Sequence, residues 1–255
     1  MTSRLFVHSL SEQWDIWYQQ QPGRSLAAVE QRALGEVLQQ LFGYHLLQVG
    51  GANIIDLTSS SPILNKVRLD PEISVNFRGL QVQGDTEELP FLSKTFDVIV
   101  LPHVLEFAKH PLQLLQEAYD LLIAGGYVVI LGFNPRSLWK ISKAFSKQEN
   151  VVPWQGTFIR YGKLRQWLTK LNLQVELYST YFFRPAFKKS QLLKQTLFME
   201  AVGQLCWASA GAVYVLVAQK VESGITLVGS PWQKEKRVIK AARAELGMGQ
   251  NSENS

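Results

Sequence analysis

In four places the 255-residue sequence sets polar or flexible residues directly after a short apolar run. Gly50-Gly51 follows YHLLQV, Asp70 ends KVRLD, Asp85-Thr86 closes LQVQGDT, and Pro102-His103 follows FDVIVL. A glycine pair lets the backbone approach a ligand closely, because no Cβ stands in the way. Asp70 comes 20 residues after Gly50, the spacing at which a carboxylate reaches the hydroxyls of a ribose. Asp85 and Thr86 supply a carboxylate and a hydroxyl that can grip the polar edge of a base. His103 alone among the histidines at 8, 45, 103 and 110 stands at such a run's end. With an ordinary pKa near 6.5 it is the candidate general base.

These residues need elements to hold them. Short runs of strand character recur at 44–49, 66–70, 80–85, 96–101, 127–133, 174–183 and 212–221. Helical periodicity covers 11–20, with Trp14 and Trp17, and 25–42, with Leu26, Val29, Ala33, Val37 and Leu41 on one stripe. Further helices are expected at 111–122, with Leu112, Leu115, Ala118, Tyr119 and Leu122 inward and Gly125-Gly126 closing it, at 161–171 and near 188–207. Strands alternating with helices predict an α/β fold, a seven-stranded and mostly parallel sheet with helices on both faces. Ligands of open α/β sheets lie outside the carboxyl ends of the strands, so the four places converge on one crevice.

Composition narrows the class. Hydrophobic residues make up 46% and charged residues 18%, which excludes a disordered chain. The single cysteine, Cys206, excludes a disulfide framework and a thiolate metal cluster and suits a reducing compartment. No metal site is expected, and the N-terminal residues lack a secretory pattern, so a cytoplasmic location is expected. The apolar run 197–218 is interrupted by Glu200, Gln204 and Gly211 and reads as a helix followed by a core strand rather than a transmembrane span. Residues 1–183 balance 16 Lys/Arg against 16 Asp/Glu, so the net charge of +5 lies in the last 72 residues. The excess sits at Lys188, Lys189 and Lys194 and between Lys234 and Arg243. A nucleic-acid partner is not expected from so local an excess; the tail is a candidate for contact with polyanions.

The segment from Leu80 to Trp139 resembles the core of class I, Rossmann-like S-adenosylmethionine-dependent methyltransferases of the type 11 group. The resemblance is carried by Gly84-Asp85 before Leu89-Pro90-Phe91, by Phe96-Asp97, His103, Leu105-Glu106, Leu122 with Gly125-Gly126, and Asn134-Pro135. It implies S-adenosylmethionine as cofactor, a small-molecule methyl acceptor, and an antiparallel last strand. It also implies that Gly50 and Gly51 pack on the methionine part, Asp70 holds the ribose, Asp85 with Thr86 binds the adenine, and Pro102 and His103 border the transferred methyl. The first motif departs from the family's acidic-x-Gly-x-Gly-x-Gly: Gln48 stands for the carboxylate, Ala52 and Ile54 for glycines.

The expected organisation is a helical extension over 1–43 and the α/β domain over 44–222, with a helical insertion at 184–210. A basic, partly disordered tail follows over 223–255. Asp97 and Glu106 are read as structural, Asn134 as the cap of a helix at Leu138, and Trp139, Trp154 and Tyr161 as packing residues. The rival reading is a non-catalytic binding or scaffold protein, which Gln48 and Ala52 favour. A nicotinamide oxidoreductase is disfavoured because no Gly-x-Gly-x-x-Gly follows the first strand.

Overall fold

The computed structural model describes residues 10–73, 77, 79–139, 152–184 and 210–221. The expected helix near 188–207, the insertion at 184–210 for the most part, Cys206 and the basic tail lie outside the described residues. Two helices come first, α1 (Leu10–Gln19) and α2 (Gly23–Leu38). Four strands follow, β1 (His45–Val49), β2 (Asn65–Asp70), β3 (Leu80–Gln83) and β4 (Phe96–Pro102). Then come α3 (Pro111–Leu121), β5 (Leu122–Phe133), α4 (Tyr161–Lys170), β6 (Leu173–Tyr181) and β7 (Val213–Lys220).

The strands form one seven-stranded sheet in the order β3-β2-β1-β4-β5-β7-β6. β3, β2, β1, β4 and β5 run parallel, while β7 is antiparallel to both β5 and β6. The order reverses between β1 and β4, which opens a crevice at their carboxyl ends. The central strands are buried on both faces, which explains their unbroken apolar runs. Leu47, Val49, Ile99, Leu101, Val128, Ile130 and Leu216 face one way, into a cluster completed by Leu114, Leu115 and Ala118 of α3 and Leu164 and Leu168 of α4. The alternate residues, Leu46, Val98, Val100, Val129, Leu131, Val215 and Val217, are equally buried. The buried side chains of α2, among them Leu26, Ala33, Leu34, Val37 and Leu38, stand outside this cluster.

Two details differ from the sequence reading. Leu112 is 38% exposed, and Leu114 takes the inward position. Gly125-Gly126 do not end α3: Leu122 already has an extended backbone and pairs with Phe96, while the next pairing joins Val98 to Tyr127. Residues 123–126 form the resulting irregularity in β5, where Gly125 adopts φ +76°. No helix occupies residues 50–64 or 84–95, so β1–β2 and β3–β4 are joined by loops.

Burial separates the two leucines of α3. Leu115→Ala, in the core, is expected to cost about 2–5 kcal/mol, and Leu112→Ala no more than about 0.5 kcal/mol, read from urea unfolding midpoints; equal costs would refute this placement of the helix face.

Candidate functional site

The crevice begins with the turn after β1. Gly50 and Gly51 have φ of +65° and +102°, a region that glycine enters without penalty. A Cβ on Gly51 would stand 3.0 Å from Gln48 Nε2 and 3.1 Å from Pro102 Cγ. The Gln48 amide donates to the Gly50 carbonyl at 2.8 Å, and the Gly50 N–H donates to the Leu69 carbonyl at 2.7 Å. Arg68, paired across the sheet with Gln48, is 1% exposed. Its guanidinium donates to the carbonyls of Gly51 (2.8 Å) and Ala52 (3.2 Å), to Asn53 Oδ1 (2.9 Å) and to Asp70 Oδ2 (2.9 Å). One buried cation therefore ties the glycine turn to the carboxylate at the end of β2.

α1 roofs the crevice with one stripe of residues at helical spacing. The Ser11 hydroxyl lies 2.9 and 3.0 Å from the two Asp70 oxygens. Asp15 Oδ1 accepts the N–H groups of Asn53 (2.7 Å) and Ile54 (3.0 Å). Trp14 stacks on the His103 ring with centroids 5.0 Å apart. The Tyr18 hydroxyl donates to Glu30 Oε2 at 2.6 Å; burial first, then the Glu30 carboxylate, push that hydroxyl well above its usual pKa, so it remains a donor.

His103 lies beneath Trp14, 3% exposed, with φ +55°. That conformation is uncommon for a residue bearing a Cβ and is held by its N–H donating to the Leu131 carbonyl at 2.8 Å. Nε2 is 3.0 Å from Glu30 Oε1, and Nδ1 is 3.4 Å from Glu106 Oε1. Glu106 Oε1 also accepts the Phe133 N–H at 2.7 Å. Burial works against charge on the ring, but the two carboxylates outweigh it and hold the pKa at about 9. At neutral pH the imidazole therefore carries its proton and has no lone pair with which to act as the general base the sequence suggested.

A cavity of about 240 Å³ gathers Gly50, Gly51, Asp70, Thr86, Pro102 and His103 under Ser11 and Trp14. Asp85 does not line it: the side chain is exposed and Oδ1 accepts the Glu87 N–H at 2.9 Å. Asp97 accepts the N–H groups of Tyr44 and His45, both at 2.8 Å, a structural role. Asn134 Oδ1 accepts the Arg136 N–H at 3.0 Å where a helix begins at Leu138. Trp139 and Trp154 pack on one another, with centroids 5.8 Å apart. Sequence reasoning missed Ser11, Glu30 and Arg68. The signal for Glu30 is its place one helical turn after Leu26 on the inward stripe, where it is buried while Val29 is only partly so.

Among the described residues no group of His, Cys, Asp or Glu could hold a metal ion, and no helix is long and apolar enough to cross a membrane; residues 197–209 of the apolar run lie outside them.

A switch point at β1/β4, a glycine turn and a reversed terminal strand define the Rossmann-like class I methyltransferase fold, and residues 40–130 match the family described as methyltransferase domain. The chain is similar to the uncharacterized protein YafS of Escherichia coli (strain K12), 27% identical over 89% of this chain and 90% of that protein. It is 30% identical to the ubiquinone/menaquinone biosynthesis C-methyltransferase UbiE of Roseobacter denitrificans, over 43% of this chain and 44% of that one. The fold is shared with an S-adenosylmethionine-dependent methyltransferase of Thermotoga maritima described as a possible histamine N-methyltransferase. That match has a TM-score of 0.58 at 16% identity and covers 83% of this chain and 96% of that one.

The raised pKa has a consequence for stability. His103 titrates near 6.5 in the unfolded chain and at about 9 in the folded one. Its contribution is complete below pH 6.5 and is lost as pH rises through 9; at most it is roughly 3 kcal/mol. Glu30→Gln is expected to flatten this loss in urea unfolding between pH 6 and pH 9.5, and the His103 ring protons in wild-type NMR spectra should titrate near 9. A midpoint near 6.5 would refute the network.

Proposed function

We propose that the protein transfers a methyl group from S-adenosylmethionine to a small organic acceptor. The observation that carries this reading is the convergence of Gly50, Gly51, Asp70, Thr86, Pro102 and His103 on one cavity at the sheet's switch point. S-adenosylmethionine supplies an already activated methyl group, so the hard chemistry is the cofactor's. The residues present fit it in kind. The turn at Gly50-Gly51 is a cradle that a Cβ would fill, and Asp70 already holds one hydroxyl, that of Ser11, as it would hold a ribose hydroxyl. In volume the cavity is small against the roughly 300–1,000 Å³ of ligand pockets, so binding requires α1 to withdraw Ser11 from Asp70.

In this reading Gly50 and Gly51 admit the methionine part, Asp70 the ribose, and Thr86 the base, with Asp85 turning inward beside it. Pro102 and His103 shape the floor under the reacting groups. His103 acts through position rather than as a base. Its contacts with Glu30 and Glu106 fix the ring at the cavity floor, where it positions the donor without exchanging a proton with it. The remaining task is to hold an acceptor atom in line at near-attack distance while water is excluded.

A non-catalytic binding role is favoured by Gln48 in the place of a carboxylate and by the internal partners of Asp70. Calorimetric titration with S-adenosylmethionine and S-adenosylhomocysteine, with NADH as control, separates the two. Micromolar affinity for the first two is expected, weakened at least about tenfold by Gly51→Val or Asp85→Ala. Absence of binding at millimolar ligand in folded protein would overturn the reading in favour of the scaffold.

Ser11→Ala tests the competition at Asp70. Removing a hydroxyl whose hydrogen bond is worth about 1 kcal/mol is expected to tighten S-adenosylhomocysteine binding by roughly fivefold; unchanged or weaker binding would show that Ser11 does not stand in the ribose position.

A further inference from the structure

The carboxyl edge of the sheet carries a second cavity, of about 200 Å³. Arg136 enters it from the loop after β5, Arg160, Tyr161 and Gly162 from the start of α4, and Tyr178 from β6. Both guanidinium groups belong to exposed residues, and among the described residues the ion pairs are Arg68–Asp70 and those of His103, neither of which involves Arg136 or Arg160. Arg136 and Arg160 thus line a concave surface with no carboxylate paired to either among the described residues.

The neutral groups around them point the same way. Arg160 takes the N-cap position of α4 with an extended backbone; its side chain carries no acceptor for the first-turn amides, which a helix leaves without intrahelical partners. No atom lies within 4 Å of a Cβ built on Gly162, which leaves that turn open to a ligand. Tyr161 and Tyr178 pack with centroids 4.1 Å apart and their planes tilted by 35°, and give the cavity an aromatic wall. Burial, then Tyr161, raise the Tyr178 pKa to about 12, and Arg136 opposes the shift; the hydroxyl therefore stays protonated and can donate, and Arg136 is close enough to act on it. Arg136 and Arg160 supply cationic donors and the Tyr178 hydroxyl a neutral one, while the lining Asn134 turns its Oδ1 to the Arg136 N–H.

We propose that this cavity binds a phosphate monoester, its oxyanion held by Arg136, Arg160 and the first turn of α4, and its organic body lying against Tyr161 and Tyr178. A dianion with three free oxygens matches two guanidinium forks and a helix N-terminus better than a single carboxylate does. At about 200 Å³ the cavity lies below the roughly 300–1,000 Å³ of larger ligand pockets, which limits the guest to a body about the size of one ring. The site is separate from the cavity over Gly50 and shares none of its lining residues, so it stands or falls independently of methyl transfer.

Calorimetric titration of the full chain with phenyl phosphate, inorganic phosphate and phenol tests it without any methyl donor. Phenyl phosphate is expected to bind roughly tenfold more tightly than inorganic phosphate, and phenol not measurably. Arg136→Gln and Arg160→Gln should each weaken phenyl phosphate about tenfold or more, with thermal unfolding unchanged because both side chains are exposed. Tyr178→Phe should weaken it severalfold. Absence of saturable phenyl phosphate binding at millimolar concentration, or equal affinity in wild type and in the Arg136→Gln, Arg160→Gln double variant, would overturn the proposal.

Discussion

The contact between Glu30 and His103 joins two parts of the molecule that are 73 residues apart in sequence. Both side chains are essentially removed from water, with relative exposures of 0% and 3%, and two isolated charges could not survive there. They persist because the desolvation is shared. Tyr18 donates to the second Glu30 oxygen, Glu106 answers the other ring nitrogen, and the Phe133 N–H fixes Glu106 in turn. Each member satisfies the next, and removal of one would strand a neighbour's charge. The network reaches from α1 and α2 to the ends of β4 and β5. It fixes His103 in a left-handed backbone conformation at the floor of the cavity and sets the height of α1 above it.

The position of α1 follows from what the sheet lacks. With no helix between β1 and β2, the amides of Asn53 and Ile54 have no helical hydrogen bonds to join, and the Asp15 carboxylate accepts both. The same helix brings Ser11 to Asp70 and Trp14 to His103. An N-terminal extension has thereby taken over both the capping of the glycine loop and the enclosure of the crevice. A buried aromatic seam, Trp14 against Phe107 and Phe133 and Trp17 against Trp139, places α1; only the polar contacts of Ser11 and Asp15 can be exchanged for those of a ligand at modest cost.

The sheet was legible because its inner strands are covered on both faces and read as continuous apolar runs, as in FDVIVL and YVVILGF. The carboxyl-end rule then selected Gly50, Asp70, Thr86 and His103 correctly as neighbours. It could not select the direction of a side chain, and Asp85, one residue before Thr86, points to solvent. Nor could it reveal Glu30, since a long-range ion pair leaves only a charge on an otherwise apolar stripe. The protonation of His103 was hidden in part for the same reason: Glu106 lies three residues on, but Glu30 comes from 73 residues away. The expected end of α3 at Leu122 lies one residue from the observed Leu121, but Gly125-Gly126 do not close it, because strand pairing with Phe96 already draws Leu122 into the sheet.

Among the described residues three buried side-chain atoms have no hydrogen-bond partner: Gln48 Oε1, Arg68 Nε and Glu106 Oε2. Native interiors leave few such atoms, and these three border one region. Gln48 braces the glycine turn, Arg68 binds both that turn and Asp70, and Glu106 supports His103. A fold selected for stability alone would put apolar side chains at these positions, because a partly satisfied polar group costs more than an apolar substitute of the same shape. The unsatisfied polarity therefore coincides with the cavity floor, the glycine conformation and the left-handed histidine, and nothing comparable occurs in the described core beneath α3 and α4. The cost in stability is concentrated where the sheet order reverses, which is where an α/β sheet does its binding.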